Sequence, residues 1–360
     1  MAKKLEVSVD EAQGGDLASL AKRVANYVLN KDHRRYENWE NAVNAGGLIC
    51  LDAELYSAKI KAIADYSVRM QASDGQLSFG LIVPGDPANV VQKWTGAGTI
   101  TGTVHSSTVG PVVLHAYEKT KDELYLKAAE RQYGYLNAVK RTQDGGVVHR
   151  EEAAELWLDT VWFIVPFLAH YGKIAGSKEA TDDAVRQIDV HLDRLLDAKT
   201  GLLRHIWCES PDSYPQSSFW SRGHGWVVAG LADTYELLPQ GHSGRRSITK
   251  QLQALVPPLI ARQDATGFWH NILDDRHSPL ESTGTLMFAY GFKKALDLGI
   301  LKGDEILNSA RRGLEAAAQV VDVDGTVHLA ALPPGGPGAR VGVAPYGQGW
   351  FLQAAGRFVR

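Results

Sequence analysis

Among the acidic residues, Asp159 has the most telling surroundings. It lies in Leu156-Trp-Leu-Asp-Thr-Val-Trp-Phe-Ile-Val-Pro-Phe-Leu168, where every neighbour except Thr160 is apolar. Burying an ionised carboxylate in such a setting is costly unless it is paired or protonated. A raised pKa is the expected compromise, and that is the state a general acid needs at neutral pH.

A second cluster, Phe219-Trp-Ser-Arg-Gly-His-Gly-Trp226, occupies a loop-to-helix junction. At helical spacing Arg222 and Trp226 share a face, as do Trp220 and His224. A guanidinium flanked by indoles can grip a carboxylate with both arms while the rings stack on the apolar faces of a sugar. Further on, Gly267-Phe-Trp-His270 offers Trp269 and His270 as additional contacts. It precedes Leu280-Glu-Ser-Thr-Gly-Thr285, whose Ser282, Thr283 and Thr285 hydroxyls suit helix capping first and ligand contact second.

Histidines recur in a repeated phrase: Asp144-Gly-Gly-Val-Val-His149, Asp197-Ala-Lys-Thr-Gly-Leu-Leu-Arg-His205, Asp264-Ala-Thr-Gly-Phe-Trp-His270 and Asp324-Gly-Thr-Val-His328. Asp74-Gly75-Gln-Leu-Ser78 is a fifth copy without the histidine. The turn returns about every sixty residues, the mark of an array of equivalent units. Equivalent loops of a closed array emerge at one end, so His149, His205, His270 and His328 are expected on a common rim. Their spacing lacks the HxxxH or CxxC pairing that fixes a zinc site, and no GxGxxG, GxxxxGK[ST] or GxSxG phrase occurs. No metal and no cofactor are expected.

Helical periodicity dominates the stretches between these phrases. Leu17–Leu29 and Tyr56–Met70, for example, place apolar residues at i, i+3, i+4 and i+7. Reading on predicts an all-α chain of twelve helices, beginning near residues 16, 41, 57, 107, 122, 156, 179, 221, 247, 280, 304 and 347. Twelve helices with this repeat make six hairpins, and hairpins closed on themselves make a ring. The repeat runs almost end to end, so residues 1–360 read as a single domain, with 1–15 as a flexible N-terminal segment. One stretch cannot be helical: Leu332-Pro-Pro-Gly-Gly-Pro-Gly-Ala339 reads as a mobile loop near the mouth of the ring, in a position to act as a lid.

Composition narrows the partners. With 41 acidic against 38 basic residues spread along 360 positions, the chain has no electrostatic footprint for nucleic acid or an anionic membrane. The N-terminus lacks a secretory pattern, and no run approaches the roughly 20 apolar residues of a membrane helix. Cys50 and Cys208 are too far apart in sequence to suggest a disulfide framework. The expected location is the cytoplasm. Nine Trp and thirteen Tyr admit a carbohydrate ligand, since sugars stack on aromatic planes, and equally a core that uses large rings; composition does not decide between them.

Taken in order, Leu156-Trp-Leu-Asp159, Phe219-Trp-Ser-Arg-Gly-His-Gly-Trp226, Gly267-Phe-Trp-His270, Leu280-Glu-Ser-Thr-Gly-Thr-Leu-Met-Phe-Ala-Tyr290 and Tyr346-Gly-Gln-Gly349 resemble glycoside hydrolase family 105 and its relative family 88, the unsaturated rhamnogalacturonyl and glucuronyl hydrolases. The resemblance implies an (α/α)6 barrel whose central pocket takes a 4,5-unsaturated uronic acid from the non-reducing end of a lyase product. It implies that Asp159 protonates the C4=C5 double bond and activates water for attack at C5. By the same resemblance His149, His205, Trp220, Arg222 and Trp226 contact substrate, with Arg150 beside them. His105 stands where the family has a second pocket carboxylate, and is expected to face Asp159. An imidazole there removes the repulsion between two acids and, when protonated, reverses its sign. Other readings on such a helical ring are a sugar epimerase, a polysaccharide lyase and a non-catalytic glycan-binding protein.

Overall fold

The computed structural model describes residues 13–77, 103–150, 152–333 and 335–359. The expected flexible segment at 1–15 falls largely outside these residues, as does Ser78 of the first repeated phrase. Twelve α-helices are present: α1 (Gln13–Leu29), α2 (Asn38–Asp52), α3 (Ser57–Arg69), α4 (Gly110–Thr120), α5 (Glu123–Ala138), α6 (Leu158–Ala175), α7 (Lys178–Leu195), α8 (Ser221–Leu237), α9 (Gly244–Ile260), α10 (Ser282–Asp297), α11 (Asp304–Ala318) and α12 (Pro345–Phe358). Each begins within three residues of its expected start.

The helices alternate between two kinds. Even-numbered α6, α8, α10 and α12 are buried along most of their length, whereas the odd-numbered helices bury one face. α7 shows why: Lys178, Glu179, Asp182 and Arg186 lie outward, while Ala184, Ile188 and Leu192 repeat at helical spacing inward. The even helices touch in the order α2, α4, α6, α8, α10, α12 and back to α2, and each odd helix backs its partner from outside. This is an (α/α)6 barrel. One apolar cluster runs from Leu20 on α1 to Ala355 on α12.

The repeated phrase lies in five of the six connections from an outer helix to the next inner one, after α3, α5, α7, α9 and α11. Gly75, Gly145, Gly201, Gly267 and Gly325 all have positive φ, between 70° and 103°, which the Asp-Gly and Thr-Gly pattern anticipates. Each turn lies against the next outer helix. A side chain at Gly267 would meet the Arg312 carbonyl of α11 at 2.6 Å, and one at Gly325 the Arg23 carbonyl of α1 at 2.4 Å. The second contact closes the ring.

Because every inner helix follows such a turn or its equivalent, all six start at the same end. Strand Glu155–Trp157 pairs with Ile206–Cys208, which pairs with Ser213–Gln216, and this small antiparallel sheet stiffens one side of that end.

Candidate active site

A cavity of about 330 Å³ opens among the N-terminal ends of the inner helices, lined by Glu37, Trp39, His105, His149, Trp157, Asp159, Phe163, Arg222, Trp226 and Pro333. Glu37 leads α2, His105 lies in the 3-10 turn His105–Val109 before α4, Asp159 is in the first turn of α6, and Arg222 is in the first turn of α8. Six helix dipoles thus turn their positive ends toward one mouth, a setting that favours an anion.

Asp159 is the most enclosed acid of the group, its side chain 13% exposed. Its Oδ2 lies 3.0 Å from His205 Nε2, and His205 Nδ1 bonds the Gln216 side-chain oxygen. Both nitrogens of His205 are thus engaged by neighbouring side chains. Burial pushes the Asp159 carboxyl up. The His205 hydrogen bond and the charges of His205, His149 and Arg222 outweigh burial and bring it down to about 2. The raised pKa expected from the apolar sequence is therefore corrected: sequence neighbours supply the burial, but partners from other elements supply the charge. His149 is driven well below the usual histidine range by its own burial and is neutral at pH 7, so the His205 hydrogen bond and the Arg222 charge remain there.

Replacing His205 with Ala is expected to raise the Asp159 pKa, because burial then acts with less opposition. A ¹³C NMR titration of the carboxyl would read it. An unmoved midpoint would assign the depression to Arg222 and the helix terminus.

Arg222 is 4% exposed. Its Nη1 donates to the Ala331 carbonyl at 2.6 Å and to Tyr346 Oη at 2.8 Å, and its guanidinium lies 4.4 Å above the Trp220 ring. Nε has no protein partner, leaving that edge with a hydrogen bond to give. Trp226 stands edge-on to Phe163 and Trp39, while His149 stacks on Trp157 at 4.3 Å and bonds Thr160 Oγ1 at 2.9 Å. Arg150 points to Glu155, Nη1 to Oε2 at 3.8 Å.

His105 reaches the cavity with Asp159, its ring edge-on to His149 and Phe163. Burial lowers its pKa to about 4 against the pull of Asp159, so it is neutral at pH 7. The expected reversal of charge does not operate there; only the absence of repulsion remains.

Other sequence candidates lie elsewhere. His224 donates to the Trp220 carbonyl (2.7 Å) and accepts the Leu203 N–H (2.9 Å), so both ring nitrogens are engaged in packing; burial takes its pKa to about 4. Trp220 backs the site rather than lining it: its ring is 4.6 Å from His205 and its Nε1 donates to Asn271. Trp269 is fully buried, with Nε1 on the Leu259 carbonyl. His270 bonds the Ser278 carbonyl and approaches Asp264, on a separate charged cavity of about 590 Å³. His328 bonds Asp322 at 2.6 Å and is 42% exposed. The common rim of four histidines is corrected: His149 lines the cavity and His205 meets it only through Asp159, while His270 and His328 lie away from it. In extended chain alternate residues face opposite sides, and His149 and His205 come four residues after their turn glycine, whereas His270 and His328 come three after. The latter pair turn back onto their own loops.

At the start of α10 the cap is Glu281, which accepts from the Thr283 and Gly284 N–H groups, rather than the neighbouring hydroxyls. The expected lid does reach the cavity through Pro333, and Gly336 is tied down by Asn271 Nδ2. Among the described residues no group of three or more His, Cys, Asp or Glu could hold a metal ion, and no helix is long and apolar enough to cross a membrane.

The family model for glycosyl hydrolase family 88 matches residues 20–360. An unsaturated rhamnogalacturonyl hydrolase, YesR of Bacillus subtilis (strain 168), is 26% identical over 250 residues, which cover 66% of this chain and 71% of that protein. A possible member of family GH105 from Salmonella enterica superposes with a TM-score of 0.82 at 23% identity, over 99% of this chain and 96% of the other. A family 88 protein from Bacteroides vulgatus gives 0.75 at 20% identity, over 96% and 99%. At these identities the superpositions speak for the fold.

Proposed function

Because the chain belongs to glycosyl hydrolase family 88 and is a glycoside hydrolase, we propose that it removes a 4,5-unsaturated uronic acid from the non-reducing end of lyase-generated oligosaccharides, by adding water across the C4=C5 double bond. The observation that carries this is Asp159: a buried carboxylate 3.0 Å from His205, in an aromatic cavity that also holds Arg222. The sugar carboxylate is assigned to Arg222 and the convergent helix termini. Trp226, Trp39 and Phe163 offer the apolar wall, His149 faces the hydroxyls, and His205 holds Asp159 from behind.

C5 of such a sugar carries both the carboxylate and the ring oxygen. Protonation at C4 places positive charge at C5, where the ring oxygen shares it, and water attacks that carbon. Asp159, with the sugar carboxylate beside it favouring its protonated form, gives C4 its proton and, ionised by that step, takes one from this water. The hemiketal formed opens and expels the remaining sugar. No carboxylate has to act at the anomeric carbon, which separates this chemistry from ordinary glycosidases.

The expected result is loss of the ultraviolet absorbance of the conjugated alkene when the protein meets a lyase-made disaccharide. Comparable turnover of saturated p-nitrophenyl glucuronide would replace this reading with anomeric chemistry. We further propose that residues 1–360 act as one catalytic domain and that it works in the cytoplasm, where oligosaccharides imported after lyase action would be met; Cys50 and Cys208, with no disulfide between them, suit a reducing compartment.

A further inference from the structure

We propose that Gln216 is a positioning residue for the reaction: its side-chain oxygen fixes the tautomer of His205, and so makes the His205–Asp159 pair retain the proton that C4 receives. The proposal rests on the hydration reading above.

The imidazole of His205 stands between two acceptors. Gln216 Oε1 faces its Nδ1, and Asp159 Oδ2 lies 3.0 Å from its Nε2. A neutral imidazole carries one N–H and can satisfy only one of them. The other contact would set a bare ring nitrogen against an oxygen lone pair, in a side chain 1% exposed, where an unmade hydrogen bond is costly. Both contacts are met when the pair holds a second proton, one on Nδ1 and one between Nε2 and Oδ2. An amide turned the other way would donate to Nδ1, leaving an Nε2–H on an ionised carboxylate and no further proton in the pair. The direction of the amide thus decides whether Asp159 has a proton within reach.

The fold holds that amide from several sides. Gln216 ends the strand Ser213–Gln216 and pairs with Ile206, next to His205. Gly336 lies directly upon it: a Cβ there would come 2.7 Å from both the oxygen and the nitrogen of the amide. The Gly336 carbonyl accepts from Asn271, which in turn accepts the Trp220 N–H, and the Trp220 ring is 4.6 Å from His205. Separate parts of the chain therefore converge on a side chain that does not line the cavity. The other titratable groups that face the pair are His149, His105 before α4, and Arg222 and His224 on α8. Burial keeps the three histidines neutral at pH 7, which leaves the Arg222 guanidinium as the charge beside the pair.

Protons balance over the cycle. In the free protein the shared proton lies toward Nε2, and docking of a sugar carboxylate draws it to Oδ2, since that move carries positive charge toward the anion. Asp159 passes it to C4 as the alkene electron pair forms the C4–H bond. Water oxygen bonds to C5, and the water proton returns to Asp159. When the hemiketal opens, Asp159 gives this proton to the departing ring oxygen and takes the one released by the C5 hydroxyl as C5=O forms. The pair ends as it began, and one water is consumed.

Gln216→Leu removes the acceptor, so the ring can give its one N–H to Asp159 and leave Nδ1 against methyl groups. The pair should then lose its shared proton at lower pH. On the unsaturated disaccharide the alkaline limb of kcat/KM should move down by about one pH unit, the weight of one hydrogen bond to a charged group, with the rate on that limb about 10-fold lower. Gln216→Glu keeps an acceptor and adds negative charge, and should move the limb up. Opposite shifts carry the proposal, because a merely structural residue would lower both rates and leave the limb in place. A limb unmoved in either variant, or moved the same way in both, overturns it. In ¹⁵N spectra of histidine-labelled parent protein, the His205 signals, identified by their loss in His205→Ala, should show Nδ1 protonated at the pH of maximal rate; a bare Nδ1 there means a reversed amide and overturns it too. Should Gln216→Leu not fold, as its melting curve would show, Gln216→Glu and the spectrum decide. A parent protein that leaves the disaccharide untouched would sink the hydration reading itself; an active parent with an unmoved limb sinks only the role of Gln216.

Discussion

Asp159→Asn should fold as the parent does and lose about 100-fold or more of kcat, the usual share of general acid-base catalysis. The amide matches the carboxyl in shape and still offers His205 an acceptor at Oδ1, so the 3.0 Å contact has a replacement. What it lacks is the capacity to take a proton from water. Charge gives the prediction a second edge. Asp159 is an anion in a cavity assigned to an anionic sugar, so the variant should bind the unsaturated disaccharide no more weakly than the parent, and more tightly if repulsion dominates. Rate and binding should therefore part: kcat collapses while KM holds or falls. Near-parental turnover would mean that another group activates water.

Gly349→Ala should cost about 2 to 3 kcal/mol of stability, at the upper end for overpacking. The residue lies where α12 crosses α2, and a Cβ there would sit 2.6 Å from the backbone carbon and oxygen of Val43 and 2.8 Å from the Asn44 nitrogen. These are main-chain atoms and cannot swing aside, so the helices must separate. Gly47, whose own Cβ would meet the Gly349 carbonyl at 2.6 Å, shows that both surfaces need bare backbone. Trp39 and Tyr346 start these two helices with their rings 4.6 Å apart, so a shifted seam also disturbs the wall beside Arg222. Thermal denaturation with activity measured alongside is the check, and an unchanged melting temperature would show that the crossing has room to spare. Gly47→Ala combined with Gly349→Ala should fall short of the sum, since one separation of the helices relieves both clashes.

Much of the frame could be read from the sequence because it is local. Apolar periodicity placed every helix start closely, and the Asp-Gly and Thr-Gly phrase marked the left-handed turns. Asp159, Arg222 and Trp226 stood out because a charge amid large apolar side chains is costly wherever it is found. The electrostatics were not legible in the same way. The partner that lowers Asp159 is His205, held by Gln216 on a strand far along the chain, and sequence neighbours say nothing of it. Counting alternation from the turn glycine would have separated His149 and His205 from His270 and His328 without a structure. Glu37 escaped notice for another reason: an acid before Asn38-Trp-Glu40 reads as a helix cap, and it does lead α2. Trp157 and Trp39 were hidden among many tryptophans with a better claim to the core.

Closure of the ring makes folding a long-distance matter. Gln353 Nε2 donates to the Val43 carbonyl across a separation of 310 residues, and the turn after α11 rests on α1. In an open stack of helical hairpins each unit needs only its neighbours, and assembly can start anywhere and stop at a capped end. Here α2 and α12 cover much of each other, so a five-sixths ring still presents two apolar edges. The entropy of bringing such distant segments together must be met before that contact repays it, and the final step should be slow for so helical a protein. Until it happens, the same two edges can pair between chains, joining arcs into chains of molecules in place of rings. Refolding yield should accordingly fall with protein concentration much more steeply than the stability of the finished barrel would suggest.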